Sequence, residues 1–188
     1  MKMFFGFVLF IMIFFSHITK AAFMFDWQLG YSSHTENKTN LAFNDMTNHF
    51  FLGATLGKKE TLYFGQNVSS IATEYKTPNS TKISTLELGP RMNWYLDDLK
   101  TILVVLAWNP YAKGKRTPNG GSEEDISGWS YLLAFGYELK LSKNFSMGAT
   151  LNYHALNISK SEVNNVSTEE STSYTSITPM LNLSFRFR

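Results

Sequence analysis

The sequence has no cysteine and little charge. Its 188 residues suffice for one domain with a substantial core, and the absence of cysteine excludes a disulfide scaffold and any thiolate metal site. Charged residues make up only 17% of the chain and aromatic residues 15%. An average globular domain is about 25% charged, so much of this surface is expected not to face water.

Long apolar runs are missing after residue 15, where none approaches the roughly 18 residues of a membrane-spanning helix. Before that point Lys2 gives a basic start, Met3–Phe15 is apolar, and residues 16–21 are polar and end on a small residue. These are the features of a secretory signal peptide. We therefore predict cleavage after Ala21, export, and a mature domain of residues 22–188; the alternative is a short membrane anchor.

Charge of neither sign dominates the mature chain. Removing Lys2 and Lys20, two of the 17 basic residues, leaves 15 against 15 acidic residues. A neutral chain lacks the clustered basic face of a nucleic-acid-binding protein, so no nucleic-acid partner is expected. The few histidines are scattered without metal-ligand spacing, and neither a metal nor another cofactor is predicted.

The C-terminal stretch, residues 171–188, carries the clearest pattern. Alternate positions are apolar apart from one proline, namely Ile177, Pro179, Leu181, Leu183, Phe185 and Phe187. The intervening positions are mostly polar, namely Thr178, Met180, Asn182, Ser184 and Arg186. A period of two indicates a β-strand with one apolar and one polar face.

Seven further segments are read as strands, with clear alternation in most of them and a weaker pattern in the third, which predicts an all-β, eight-stranded antiparallel up-and-down barrel. The approximate strands are 23–33, 50–57, 61–69, 83–95, 101–111, 129–140, 145–154 and 171–188. In the fifth strand both faces are apolar, and we assign Ile102, Val104, Leu106 and Trp108 to the outside. The second, fourth and sixth connections are expected to be short turns, and the others longer loops. Both termini then lie at the short-turn end, as in bacterial outer-membrane barrels with periplasmic turns and extracellular loops.

Aromatic residues support this topology because they sort into two rings, as expected at the two water–lipid boundaries. Near the periplasmic rim we expect Phe23, Phe25, Trp94, Tyr137, Phe145, Phe185 and Phe187. Near the outer rim we expect Tyr31, Phe50, Trp108, Trp129, Tyr131 and Tyr153.

The chain resembles the small eight-stranded outer-membrane barrels of the OmpA-transmembrane, OmpX and OmpW type. The resemblance covers residues 22–188 and is one of architecture rather than of a family-specific motif. It implies a location in the outer membrane of a Gram-negative bacterium, with lipid and lipopolysaccharide as surroundings. The end of the last strand, Leu183–Phe187, looks like the signal read by the outer-membrane assembly machinery, except that Arg188 follows the aromatic residue.

Charged residues on the polar faces are predicted to line the interior, where isolated charges would be costly. The six are Asp26, Glu87, Arg91, Glu138, Lys140 and Arg186, three of each sign. Asp26 and Arg186 lie on strands that must meet on closure, so we expect them to pair. The hypothesis is a salt-bridge network that plugs the barrel, either as a purely structural core or as the gate of a narrow pore.

No catalytic residues are predicted. His154, Ser159 and Glu162 are the nearest grouping to a hydrolase triad, which leaves a lipid-A-modifying enzyme as one alternative. A soluble lipocalin-like carrier, with its apolar face turned inward, is another. The clusters Lys113, Lys115, Arg116 and Glu123, Glu124, Asp125 could contact lipopolysaccharide or neutralise each other. We predict a monomeric, non-enzymatic barrel with a structural or surface-interaction role.

Overall fold

The computed structural model describes residues 21–36, 41–57, 59–76, 80–164 and 166–187. Within them the chain forms eight antiparallel strands in sequence order, closed into one barrel. The strands are β1 Phe23–Glu36, β2 Leu41–Thr55, β3 Leu62–Lys76, β4 Thr81–Tyr95, β5 Ile102–Pro118, β6 Glu124–Lys140, β7 Phe145–Val163 and β8 Val166–Phe187. The predicted fold is confirmed. Neither the expected signal peptide nor Arg188 lies within the described residues.

Alternation along each strand determines which side chains enter the barrel. In β8 the buried side chains are those of Thr178, Met180, Asn182 and Ser184, whereas Ile177 and Leu181 are exposed. The ambiguous β5 follows the predicted assignment, because Leu103 and Val105 are fully buried while Leu106 and Trp108 are exposed. Side chains thus fill the interior, from small polar groups such as Ser184 to large ones such as Arg91 and Tyr95, and apolar groups form the outer wall.

The two ends of the barrel differ in how far the strands extend beyond the segments predicted for them. One end, the turn end, carries the connections 56–61, 96–101 and 141–144 together with the first and last described residues, 21 and 187. At the opposite loop end, the segments expected to be long loops are largely strand, and β7 and β8 run to 19 and 22 residues. The prediction of longer loops was therefore wrong. The outward face loses its apolar residues there, so the alternation fades, yet the hydrogen-bonded ladders continue.

Register shifts concentrate in the strands that rise highest. They interrupt the β4–β5 pairing between Leu88 and Arg91, the β5–β6 pairing between Asn109 and Ala112, and the pairings of β7 with β6 and β8 near Ser159. Such β-bulges bend a strand and increase its twist. The strands β5–β8 are also the longest, at 17, 17, 19 and 22 residues, and together they form the tall β5–β8 sheet.

The barrel closes where β1 meets β8, from Phe23 opposite Phe187 to Gly30 opposite Met180. Gly30 is needed at this closure because a Cβ there would come within 2.6 Å of the Met180 side chain. Across the described part of the chain, no helix is long and apolar enough to cross a membrane.

Candidate functional site: the charged barrel interior

The outer wall is apolar and the interior is largely polar. Exposed side chains around the wall include Leu52, Phe64, Leu106, Leu133, Phe135, Leu151 and Leu181. Buried polar side chains include Asp26, Gln28, Asp45, His49, Asn67, Glu87, Arg91, Asn93, Asn109, Glu138, Asn152 and Asn182. This is the reverse of what the lipocalin-like alternative requires.

The central ion pair of the interior joins β4 to β1. The Nη2 atom of Arg91 lies 2.5 Å from Oδ1 of Asp26, and both side chains are completely buried. Arg91 also donates through Nε to Oδ1 of Asn93 at 2.8 Å, and its guanidinium lies 5.1 Å from the centroid of the Phe51 ring. The charge of Arg91 is thus neutralised, hydrogen-bonded and packed on an aromatic face.

A second ion pair lies nearer the turn end. Nη2 of Arg186 is 2.6 Å from Oε2 of Glu138, and Nη1 donates to the hydroxyl of Ser146 at 2.9 Å. The Tyr95 hydroxyl accepts from Arg186 at 2.7 Å and lies 3.0 Å from each oxygen of the Glu138 carboxylate. This cluster connects β4, β6, β7 and β8 across the interior.

Ser184 connects the two ion pairs. Its hydroxyl lies 2.9 Å from Oδ2 of Asp26 and 2.8 Å from Oε1 of Glu138, so its single proton can serve either carboxylate. The predicted pairing of Asp26 with Arg186 was wrong. Asp26 faces Ser184 in the ladder, and Arg186 lies one row nearer the turn end, so each finds its partner across the barrel instead.

Glu87 is the centre of a third polar cluster. Its carboxylate lies 3.0 Å from Nε2 of His154 and accepts from the hydroxyl groups of Ser130 at 2.5 Å and Thr85 at 3.0 Å. Asn109 donates to Glu87 at 3.3 Å and to Ser130 at 2.9 Å. The His154 side chain thus faces inward, and its contact with Glu87 was not foreseen.

The structure places five of the six predicted interior charges inside the barrel and leaves Lys140 out. Lys140 is the last residue of β6 and is exposed at the turn end. It lies beyond Glu138, where the interior opens to solvent. Its position on the inward face of the alternation was therefore not enough to bury it.

Two buried polar residues were missed because their part of β2 was expected to be loop. The Asp45 carboxylate accepts hydrogen bonds from Thr73 at 2.9 Å and Thr178 at 2.6 Å, joining β2, β3 and β8. Nδ1 of His49 lies 2.6 Å from the hydroxyl of Ser69. Counting back in twos from the buried Phe51 would have found both.

The loop end of the interior is closed by an apolar layer and, above it, by ion pairs. The apolar layer consists of Ile83, Ala112, Ile126, Leu156 and Ile158, with Tyr174 packed against them. Between this layer and His154 lies a cavity of about 20 Å³, room for about one water molecule. At this level the interior is therefore closely filled rather than open.

Arg116 organises the ion pairs at the loop end. Its Nη1 and Nη2 atoms donate to the two carboxylate oxygens of Glu170 at 2.6 and 2.9 Å, and Nε donates to Glu124 at 2.7 Å. The bidentate contact with Arg116 holds the pKa of Glu170 below its ordinary value. Lys115 similarly pairs with Glu123. Two of the three basic residues of this segment thus pair with two of its three acidic residues.

The aromatic residues assigned to the two rims all lie on the outward face. Nine are exposed and the other four, Phe25, Phe145, Tyr153 and Phe185, are half-buried. Rings near the turn end contact one another, with the Phe145 and Phe185 centroids 4.8 Å apart. At the other rim Tyr131 lies 6.1 Å from Tyr153. Their membership of membrane-boundary rings stays a prediction.

The grouping considered for hydrolysis is not assembled around His154. The Ser159 hydroxyl is exposed and donates to the Ser127 carbonyl at 3.2 Å, while His154 is bound to Glu87 inside the barrel. Among the described residues no three His, Cys, Asp or Glu side chains lie close enough together to hold a metal ion.

Comparison with known protein families and with characterised protein sequences finds no match. Among solved structures the chain is similar to neisserial surface protein A, with 13% identity, a TM-score of 0.46, and 89% of this chain and 96% of that one covered. The β-domain of the Bordetella autotransporter BrkA gives 9% identity and a TM-score of 0.46, covering 90% and 100%. The outer-membrane protein Ail of Yersinia pestis gives 15% identity and a TM-score of 0.34, covering 87% and 99%.

Proposed function

We propose that this protein is a monomeric, non-enzymatic barrel of a bacterial outer membrane, with a structural or surface-interaction role carried by the tall β5–β8 sheet. The observation that carries the proposal is the inverted distribution of polarity. An apolar, aromatic-rich wall suits lipid, while buried charges pair inside. The turn end then faces the periplasm, and the loop end faces lipopolysaccharide and the cell exterior.

The closely filled interior supports a binding or structural role over a pore. Two connected ion pairs span the barrel near the turn end, and an apolar layer closes the loop end. The runner-up is a narrow path gated by these charges, which would require them to separate. Planar-bilayer recordings on purified protein decide between the two: we expect no conductance steps, and steps that change in Arg91→Met would favour the gated pore.

The location and orientation can be tested with matched epitope insertions. One epitope is placed between Gly120 and Gly121 at the tip of the β5–β6 hairpin, and the other between Ser142 and Lys143 in the β6–β7 turn, all of which are exposed. We expect antibody to label only the first on intact cells and both after permeabilisation. Migration on gels should also change on boiling. A soluble protein, or labelling of the turn on intact cells, would overturn the proposal.

A further inference from the structure

The seam between β1 and β8 closes only part of the barrel height. Their pairing ends at Gly30 opposite Met180. Beyond that level β8 continues to Val166 and pairs only with β7, while β1 continues to Glu36 and pairs only with β2. The outer part of β8 therefore has one strand neighbour among the described residues and presents a free edge on its other side.

Pro179 explains why the seam ends there. The Arg186 N–H donates to the Asn144 carbonyl at 2.8 Å, on the β7 side. Because successive residues of a strand direct their backbone groups to alternate sides, odd-numbered residues from 173 to 187 direct theirs away from β7. The nitrogen of Pro179 thus faces β1, and proline has no N–H to donate.

The opposite strand confirms this geometry. The Thr55 N–H donates to the Ala22 carbonyl at 2.9 Å, so even-numbered residues of β1 face β2 and odd-numbered ones face β8. Tyr31 and Pro179 would be the next pair to exchange two hydrogen bonds, and Pro179 can only accept. The ladder therefore stops one residue earlier, at Gly30 and Met180.

Three residues above the proline form the free edge: Ser173, Thr175 and Ile177. Their N–H and C=O groups point away from β7. Natural edge strands are usually protected by lysine, proline or bulges, but residues 172–178 contain none of these protections. The hairpin that carries the edge is held in place, because Thr172 donates to Glu170 and Glu170 binds Arg116 bidentately. The edge is therefore preformed.

We propose that this edge, Ser173–Ile177, binds an extended segment of another protein by strand addition. The proposal rests on the proposed surface role and specifies the kind of partner. Backbone hydrogen bonds would supply the affinity. Ile177 is 56% exposed at the membrane-side end and Tyr31 is 65% exposed across the gap. We therefore expect an apolar residue at that end of the bound segment and small polar residues beyond it.

Geometry excludes a second copy in the same membrane as the occupant. Two copies would be related by an axis along the membrane normal. Because barrel strands tilt by about 40°, the two β8 strands would cross at roughly twice that angle, against about 20–25° between neighbours in a sheet. The partner is therefore a separate chain approaching from outside.

Proline substitution tests the proposal directly, with the full chain in lipid nanodiscs and a phage-displayed library of short linear peptides as the probe. Selected peptides should bind Thr175→Ala as they bind the wild type, and at least about tenfold more weakly to Thr175→Pro, which loses an edge N–H. Recovery of no binding peptide, or equal binding to both variants, would overturn the proposal. Heat-dependent gel migration shows that each variant is folded.

Amide hydrogen exchange tests the proposal on the wild-type protein and needs no substitution. In the wild type the N–H groups of residues 173, 175 and 177 should exchange fast and become slow when a selected peptide binds. Those of residues 172, 174 and 176, directed at β7, should be slow throughout. Protection without this alternation would contradict strand addition. If the epitope experiment places the loop end outside the cell but no peptide binds, only the edge proposal fails.

Discussion

The guanidinium of Arg91 lies 2.5 Å from the carboxylate of Asp26, and neither side chain has any contact with solvent. If one partner is removed, the other remains as an unpaired buried charge. Arg91→Met is therefore expected to lower the free energy of unfolding by about 3–5 kcal/mol. Urea unfolding in lipid vesicles, followed by tryptophan fluorescence, measures the loss.

The surface pair of Lys59 and Asp98 is the matched control, because these side chains are 81% and 83% exposed. Lys59→Ala should cost less than about 1 kcal/mol. The double variant Asp26→Leu/Arg91→Met should recover much of the stability lost in Arg91→Met. A double variant as unstable as the sum of the two single variants would show that the pair is not coupled.

Gly89 is a second sensitive position, at the bulge between β4 and β5. A Cβ atom there would lie 2.0 Å from the backbone oxygen of Trp108 and 2.6 Å from Cα of Asn109. Since backbone cannot move aside like a flexible side chain, Gly89→Ala should destabilise the barrel by about 1–3 kcal/mol. Gly121→Ala, where the closest contact would be 3.3 Å, is the control in the same unfolding assay. Equal effects of the two substitutions would contradict the tight approach of the strands.

The Arg116–Glu170 pair should determine how rigid the tall sheet is. Glu170→Gln removes the charge-assisted bidentate contact. We therefore expect the β8 backbone amides on the loop-end side of residue 170 to lose about 1–2 kcal/mol of protection from hydrogen exchange. Hydrogen exchange measures this locally. Lys115→Ala is the control, because Lys115 and its partner Glu123 are more than half exposed. If both variants leave exchange unchanged, these ion pairs do not hold the sheet.

Asp97 predicts a pH dependence at the turn end. Burial would raise the pKa of its carboxyl, but the hydrogen bonds from the Ile102 N–H at 2.7 Å and from Thr101 outweigh it and lower the pKa. A folded-state pKa below the unfolded value of about 3.9 means that the stabilisation is fully present above that value and is lost as pH falls through the folded pKa.

The comparison with Asp97→Asn isolates this effect. The wild type should be more stable than the variant at pH 5 to 7, and the difference should shrink as the pH falls below about 3.9. Urea midpoints measured between pH 3 and pH 7 give the difference directly. A difference that does not change with pH would contradict the assignment to the carboxylate.

The sequence predicted the fold because inward and outward residues alternate wherever one side of the wall is apolar. In β8 the alternation from Ile177 to Phe187 assigned each side chain to the correct face. Where both sides are polar the pattern disappears, and the strand-forming stretches around Asp45 and Lys115 were taken for loops. Ladder hydrogen bonds, which do not depend on side-chain polarity, continue through them.

Ion-pair partners could not be predicted from adjacency in the ladder. In a barrel of eight strands a long side chain reaches across the interior, so Arg91 on β4 binds Asp26 on β1. Ser184, which is opposite Asp26 in the ladder, is a small residue that contacts the same Asp26 carboxylate. The sequence identified five of the charged residues that enter, but it missed Asp45 and wrongly included Lys140, and three-dimensional closure decided which of them meet.

The order of the interior charges along the chain has a consequence for assembly. Asp26 lies in the first hairpin and its partner Arg91 in the second, whereas Glu138 lies in the third and its partner Arg186 in the fourth. No hairpin therefore contains both members of either ion pair, and a hairpin inserted alone would take a charge without its partner into an apolar medium at a large cost. Since each ion pair forms only when two hairpins meet, we expect insertion to be concerted rather than a sequence of independent hairpin entries.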